Sequence, residues 1–159
     1  MNSLSQRLQS AIADEEPRLR AITEQSAGAR RGEGWSRKQE LGHLIDSAAN
    51  NRVRFINAAL KGQYAGPSYD GPGWVELGGY AGIPWTDVVD LWKTLNQALI
   101  VVLEHIPPGR LSAQCRIEDG APVTLEFLIA DYILHLRHHL DHILPDEQAP
   151  EYPGEPHGV

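Results

Sequence analysis

Four stretches of this chain, each about twenty residues long, carry apolar side chains at the three- and four-residue intervals of an amphipathic helix. The first runs from about Leu4 to Gln25, with Leu4, Leu8, Ala11, Ile12, Leu19 and Ile22 on one stripe; Pro17 falls inside it and is expected to bend or divide it. The second opens at Trp35-Ser36, where Ser36 followed by Gln39 has the form of a capping box, and it carries Leu41, Leu44, Ile45, Ala48, Phe55, Ile56 and Ala59 to about Leu60. The third starts at Pro84-Trp85-Thr86-Asp87, with Thr86 as the expected N-cap. Its stripe is Val88, Leu91, Trp92, Leu95, Leu99, Val102 and Ile106, and Pro107-Pro108-Gly109 stops it. The fourth, capped by Thr124, carries Leu125, Leu128, Ile129, Tyr132, Ile133, Leu136, Leu140 and Ile143 before Pro145. Helices with one apolar stripe each bury it against one another, so the expected fold is all-α, a four-helix bundle forming a single domain over residues 1–144.

The connections are less regular. Residues 61–83 are rich in glycine and proline and read as a long glycine-rich loop between helices 2 and 3. The aromatics it carries (Tyr64, Tyr69, Trp74 and Tyr80, with Asp70 among them) either wall a pocket or tuck against the core. Residues 111–123 show strand-like alternation at Cys115 and Ile117 without an obvious partner. Residues 145–159, with four prolines and four acidic residues, are expected to be extended or disordered.

Composition excludes several classes of function. Fourteen basic against twenty-one acidic side chains give a net charge of −7, which argues against a surface built to neutralise nucleic-acid phosphates. No apolar stretch approaches the roughly 20 residues that span a bilayer. The start, Met1 to Arg7, lacks a basic head followed by an apolar run, so a cytoplasmic setting is expected. Cys115 is the one cysteine, which leaves neither a disulfide framework nor a thiolate zinc cluster.

Four of the seven histidines fall between Tyr132 and Leu144. His135 and His139 are four apart, one helical turn on one face, and such a pair can close on one metal ion. The glutamate that follows the first histidine in the helical metalloprotease motif is absent; Leu136 stands there. A third ligand must come from His43, His105, His142, Asp46 or Glu104. His142 would only extend a linear row, and His105, near a helix end, is accounted for by a favourable dipole contact. His43 is better placed, seven residues into the second helix on a polar row (His43, Ser47, Asn50 and Arg54, with Asp46 beside it) that borders the apolar stripe. That row is either a solvated face or the lining of a polar cavity. The histidine row without a metal would be surface side chains or packed neutral imidazoles.

The Trp-Ser opening of the second helix and the His-Leu-x-Asp of His43 to Asp46 have counterparts in a known family. So do the Leu-Trp-x-x-Leu-Asn of Leu91 to Asn96 and the His-x-x-His-His of His135 to His139. Together, from about Leu4 to Leu144, they resemble the DinB-like superfamily, the YfiT-type or damage-inducible four-helix fold, distinct from the DNA polymerase that shares the name. The resemblance implies a divalent metal, commonly nickel or zinc, held by one histidine of the second helix and two of the last: here His43, His135 and His139. His138, about 100° around the helix, points elsewhere. Three imidazoles leave coordination positions open, as catalytic sites do. Asp46 and Asp131, within a turn of these ligands, are candidate acceptors for a ligand's second ring N–H, and Asn50, Tyr132 and His142 are candidate pocket residues. Glu104 and Asp70 are carboxylates without positional support as acid or base. The implied function is an enzyme that activates a low-molecular-weight thiol for S-transfer or isomerisation, as in bacillithiol- and mycothiol-dependent transferases and maleylpyruvate isomerase. The alternatives are a metal-dependent hydrolase using metal-bound hydroxide, a metal-binding module without turnover, and a bundle whose histidines do no chemistry. A small-molecule substrate is expected, and a homodimer is common in the family.

Overall fold

The helix on which the fold is assembled, α3 (Arg37–Lys61), is fixed at both ends by its own sequence. At its start the Gln39 amide donates to Ser36 Oγ while the Ser36 amide donates to the Gln39 side chain, so both halves of the capping box form. At its end Gly62 adopts a φ of 75°, which a side chain would strain, and donates its N–H to the Ala58 carbonyl at 2.8 Å. The computed structural model describes residues 2–144; the proline-rich segment 145–159 lies outside the described residues.

Around α3 stand α1 (Ser3–Arg20), α5 (Trp85–His105) and α6 (Leu125–Ile143). Both α1 and α3 pack on α5 and on α6, so the order around the bundle is α1–α5–α3–α6. At the start of α3 the Arg37 guanidinium donates to the Ile143 carbonyl at the end of α6, 2.8 Å away, and further along α3 Phe55 meets Tyr132. These two helices therefore run antiparallel. Trp92, Tyr132, Phe55, Leu8, Leu41 and Leu99 are fully buried between the helices, each such side chain contributing about 1.5–3 kcal/mol. Among the described residues no helix is long and apolar enough to cross a membrane.

The structure departs from the sequence reading in its local detail. The first helix breaks after Arg20 rather than at Pro17, and a short α2 (Glu24–Gly28) follows. The break falls where Thr23 Oγ1 accepts the Ser26 amide and starts a new helix. Helix α5 begins at Trp85, ahead of Thr86, because its first amide is capped from elsewhere: the Trp85 N–H donates to Glu24 Oε2 at 2.7 Å. The other oxygen of Glu24 pairs with the buried ammonium of Lys38, tying α2, α3 and α5 together.

Residues 61–83 are not a structureless loop. They form β1 (Gln63–Gly66), α4 (Gly71–Gly78) and a 3-10 turn at Tyr80–Gly82. The alternation at Cys115 and Ile117 has its partner here: β2 (Gln114–Ile117) runs parallel to β1, with Tyr64 opposite Cys115, and β3 (Val123–Thr124) pairs antiparallel on the other side. Chain beyond β1 then returns along α3. Arg54 donates to the Pro67 carbonyl at 3.1 Å, Gly71 backs onto the His43 ring and Tyr80 lies against Gly42. With this cover on one side and the bundle on the other, every residue of α3 from Glu40 to Ala48 is buried, and Arg54 with them, so the polar row of the second helix is largely enclosed, with Asn50 partly exposed.

A β-carbon on Gly42 would stand 2.1 Å from the Tyr80 ring. Replacing Gly42 with Ala gains up to about 1 kcal/mol of helix propensity and costs about 1–3 kcal/mol in overpacking. The expected outcome of Gly42→Ala is a net loss of stability in denaturant titration; a variant as stable as the parent would show that Tyr80 is not seated against α3.

Candidate metal centre

The second turn of α3 and the last turns of α6 bring three imidazoles to one point. His43 Nε2 and His135 Nε2 are 3.2 Å apart. The ring centroids of His43, His135 and His139 lie 5.0, 4.7 and 4.6 Å from one another, with planes inclined at 73°, 72° and 70°. One nitrogen from each ring falls within 4.8 Å of the other two. His43 and His135 are buried and the His139 side chain is 13% exposed, so solvent approaches from the His139 side. Two imidazole nitrogens bound at about 2.0–2.1 Å to one tetrahedral ion stand about 3.3–3.4 Å apart, so the observed pair fits such an ion with little adjustment. Three neutral nitrogen donors suit first-row divalent ions such as zinc and nickel.

The surroundings are as specific as the triad. Trp35 tilts over the His43 ring at 5.1 Å between centroids, and with Gln39, Pro72, Val75 and Tyr80 it lines a cavity of about 340 Å³. The Tyr80 hydroxyl donates to Asp46 Oδ1 at 2.6 Å. Burial pushes the Asp46 carboxyl above the ordinary 3.8, with the Tyr80 hydrogen bond and His43 pulling it part of the way back. The Tyr80 phenol is raised in turn by burial and by the carboxylate beside it. His139 Nδ1 lies within hydrogen-bond distance of Glu40 Oε1, at 3.0 Å. Glu40 was absent from the residues singled out in the sequence. The signal available was Glu40-x-x-His43, an i, i+3 pair that places the carboxylate one turn from His43 on the same helix face.

The remaining candidates are placed as follows. Asn50 folds back on its own helix, its amide donating to the Asp46 carbonyl at 2.9 Å. Asp131 is buried on α6 one turn before His135. Tyr132 on α6 is fully buried, its hydroxyl donating to Asn96 Oδ1 on α5 at 2.6 Å and its ring edge-on to Phe55 of α3. His142 is half-exposed, with Nδ1 3.4 Å from Glu40 Oε1, and its ring lies tilted against that of His138, 4.3 Å between centroids. His105 is exposed at the end of α5, 2.8 Å from the Val101 carbonyl, and borders a separate apolar cavity with Ile56 and Leu60. Glu104 is exposed, and Asp70 caps α4 by accepting the Gly73 amide at 3.1 Å.

A family model described as the DinB superfamily matches residues 7–143. Two curated relatives bear the name "Putative metal-dependent hydrolase": one from Halalkalibacterium halodurans, 26% identical over 113 residues, and one from Oceanobacillus iheyensis, 27% identical over 113 residues. Each match takes in 71% of this chain but 66% and 65% of those proteins, so the chain spans just under two thirds of the length of the curated relatives it matches. In structure the chain is similar to YfiT from Bacillus subtilis, described as "a probable metal-dependent hydrolase with an unusual four-helix bundle topology". The TM-score is 0.78 at 24% identity, over 88% of this chain and 81% of that one. It is also similar to a mycothiol-dependent maleylpyruvate isomerase, with a TM-score of 0.73 at 13% identity, over 94% of this chain and 65% of the other. At these identities the structural likeness is one of fold.

Tyr80→Phe would leave the buried Asp46 carboxylate without its donor, at a cost of about 1–3 kcal/mol at pH 7. The sign with pH follows from the raised Asp46 pKa. Its favourable contribution is complete below the unfolded value and is lost as pH rises through the folded one, and removing Tyr80's hydroxyl deepens that loss. The stability gap between parent and variant, measured by denaturant titration of metal-stripped protein, is therefore expected to shrink as pH falls from 7 towards 4. A gap that widens on acidification would contradict this account of Asp46.

Proposed function

Because the chain belongs to the DinB superfamily, we propose that it is a divalent-metal-dependent enzyme that activates a small thiol for S-transfer or isomerisation, with His43, His135 and His139 holding the ion. The observation that carries this reading is the convergence of three imidazoles from two helices, with His43 and His135 buried and their Nε2 atoms 3.2 Å apart. Nickel or zinc is the ion proposed. When bound it supplies Lewis acidity, lowering the pKa of a water or thiol that reaches it.

The chain's own residues do the rest. α3 and α6 hold the nitrogens rigidly, Trp35 and Gly71 close over His43, and Tyr80 with Asp46 pins the cover that keeps water from that side. The side left partly open is that of His139 and His142, where a small molecule would approach. Support for the thiol comes from the likeness of fold to the mycothiol-dependent isomerase. A second reading, hydrolysis, is favoured by the names of the two curated relatives.

Metal analysis of the purified protein beside a His135→Ala, His139→Ala double variant tests the centre. About one equivalent in the parent and almost none in the variant is expected, and equal sub-stoichiometric metal in both would overturn the reading. With metal present, a panel of thiols and a chromogenic electrophile separates the two chemistries. Thiol-dependent turnover that the double variant loses is expected; turnover of an ester without any thiol would instead favour hydrolysis.

A further inference from the structure

We propose that Glu40 is the positioning residue of the centre, holding the His139 ring in the tautomer and orientation that a bound ion needs; this rests on the reading of His43, His135 and His139 as one metal site. Glu40 is 7% exposed in the first turn of α3, and its Oε1 stands 3.0 Å from His139 Nδ1. A carboxylate only accepts, so Nδ1 carries the proton and Nε2 keeps the lone pair. A carboxylate behind a ligating imidazole also makes the ring a more basic donor.

The carboxylate is itself held. Oε2 lies 3.6 Å from the Arg31 guanidinium and Oε1 lies 3.4 Å from His142 Nδ1. With Glu40 anchored from these sides and by its buried place on the helix, His139 adjusts to Glu40 rather than the reverse. Because Glu40 and His43 are three residues apart on α3, that helix supplies one proposed ligand and also aligns another that belongs to α6. One register of α3 against α6 therefore sets both.

Glu40, His139 and His142 also bring one donor atom each within 4.8 Å of one another, an arrangement that would serve as a second ion site instead. The two roles differ in stoichiometry. Isothermal titration of metal-stripped protein with Zn²⁺ and with Ni²⁺ is run on the parent, Glu40→Gln, Glu40→Leu and His142→Ala. Positioning by Glu40 predicts one equivalent throughout. Glu40→Gln, whose amide oxygen still accepts the Nδ1 proton, should bind about 10-fold more weakly, and Glu40→Leu up to about 100-fold more weakly. His142→Ala, which removes one of the groups that hold the Glu40 carboxylate but leaves the His139–Glu40 contact, should lose less affinity than Glu40→Gln does. Long-range ¹⁵N spectra of the metal-free proteins add a readout that a purely structural role would not move: His139 should be the Nδ1–H tautomer in the parent and a mixture in Glu40→Leu. Should Glu40→Leu fail to fold, Glu40→Gln carries the affinity test and the parent spectrum carries the tautomer test.

Unchanged affinity and tautomer in the Glu40 variants, with the parent still binding one equivalent, would overturn the positioning role and leave the metal centre standing. Two equivalents in the parent falling to one in both Glu40→Leu and His142→Ala would overturn it in favour of a second site. No binding by the parent would overturn the metal centre and the positioning role with it.

Discussion

The antiparallel seam between α3 and α6 is the constraint on which the rest of the structure depends. Groups that a bundle core ordinarily excludes are buried along it and on the other faces of α3: Lys38, Glu40, His43, Asp46, Ser47, Asn51 and Arg54. A buried polar group left unmet costs about 1–3 kcal/mol, more when charged, so this many in one helix is tolerable only if each is answered. The partners come from α2, from α6 and from the segment that follows α3. Glu24 answers Lys38, His139 answers Glu40, His135 meets His43, Tyr80 donates to Asp46, and the Pro67 carbonyl accepts from Arg54. The seam thus specifies the fold as well as the candidate centre, since a shift of one residue between the helices would leave several of these groups unmatched.

Two of those five answers, from Tyr80 and from the Pro67 carbonyl, come from the segment that follows α3. The parallel pairing of β1 with β2 anchors that segment at the far end of the helix, and Gly62 sets the turn into it. From there the chain returns along α3 to the histidine end, where the absence of a side chain at Gly42 lets Tyr80 reach Asp46. Without this return, the outer face of α3 around Asp46 would be open to water. The sheet is small, but it fixes the origin of the cover and so the place where Gly71 and Tyr80 come down.

Features that depend on neighbours in sequence were legible in advance. The capping box at Ser36, the Thr124 cap, the four apolar stripes and the His135–His139 spacing are all local patterns, and the structure has each of them, except that Leu91 of the third stripe is exposed. Features that depend on distant partners were not. Thr86 looked like the start of α5 because no local rule reveals that Glu24, 61 residues earlier in sequence than Trp85, caps it instead. A four-residue strand such as Gln63–Gly66, carrying two glycine-flanked turns, has too little pattern to announce a parallel partner beyond a whole helix. Glu40 was hidden for a different reason: an acidic residue in the first turn of a helix is already accounted for by the helix dipole, so nothing prompts a search for a second role. Tyr132 drew attention through its nearness to His135 in sequence, but the partner of its hydroxyl is Asn96, 36 residues away on α5, which no local pattern announces.

A similar fold is found in a protein described as "a probable metal-dependent hydrolase" and in an isomerase that depends on mycothiol, so the chemistry is not set by the helices alone. The division of labour in this chain shows how that can be. The imidazoles sit on α3 and α6, long helices whose register is fixed by caps, packing and buried pairs, and such elements hold a site more exactly than loops do. The contacts beside them come from α4 and its flanking turns on one side and from the His138–His142 turn of α6 on the other. A substitution on the exposed face of α4 changes the cover without touching the helices that carry the three imidazoles. The cover can then vary in sequence while the arrangement of His43, His135 and His139 is kept by the seam beneath it.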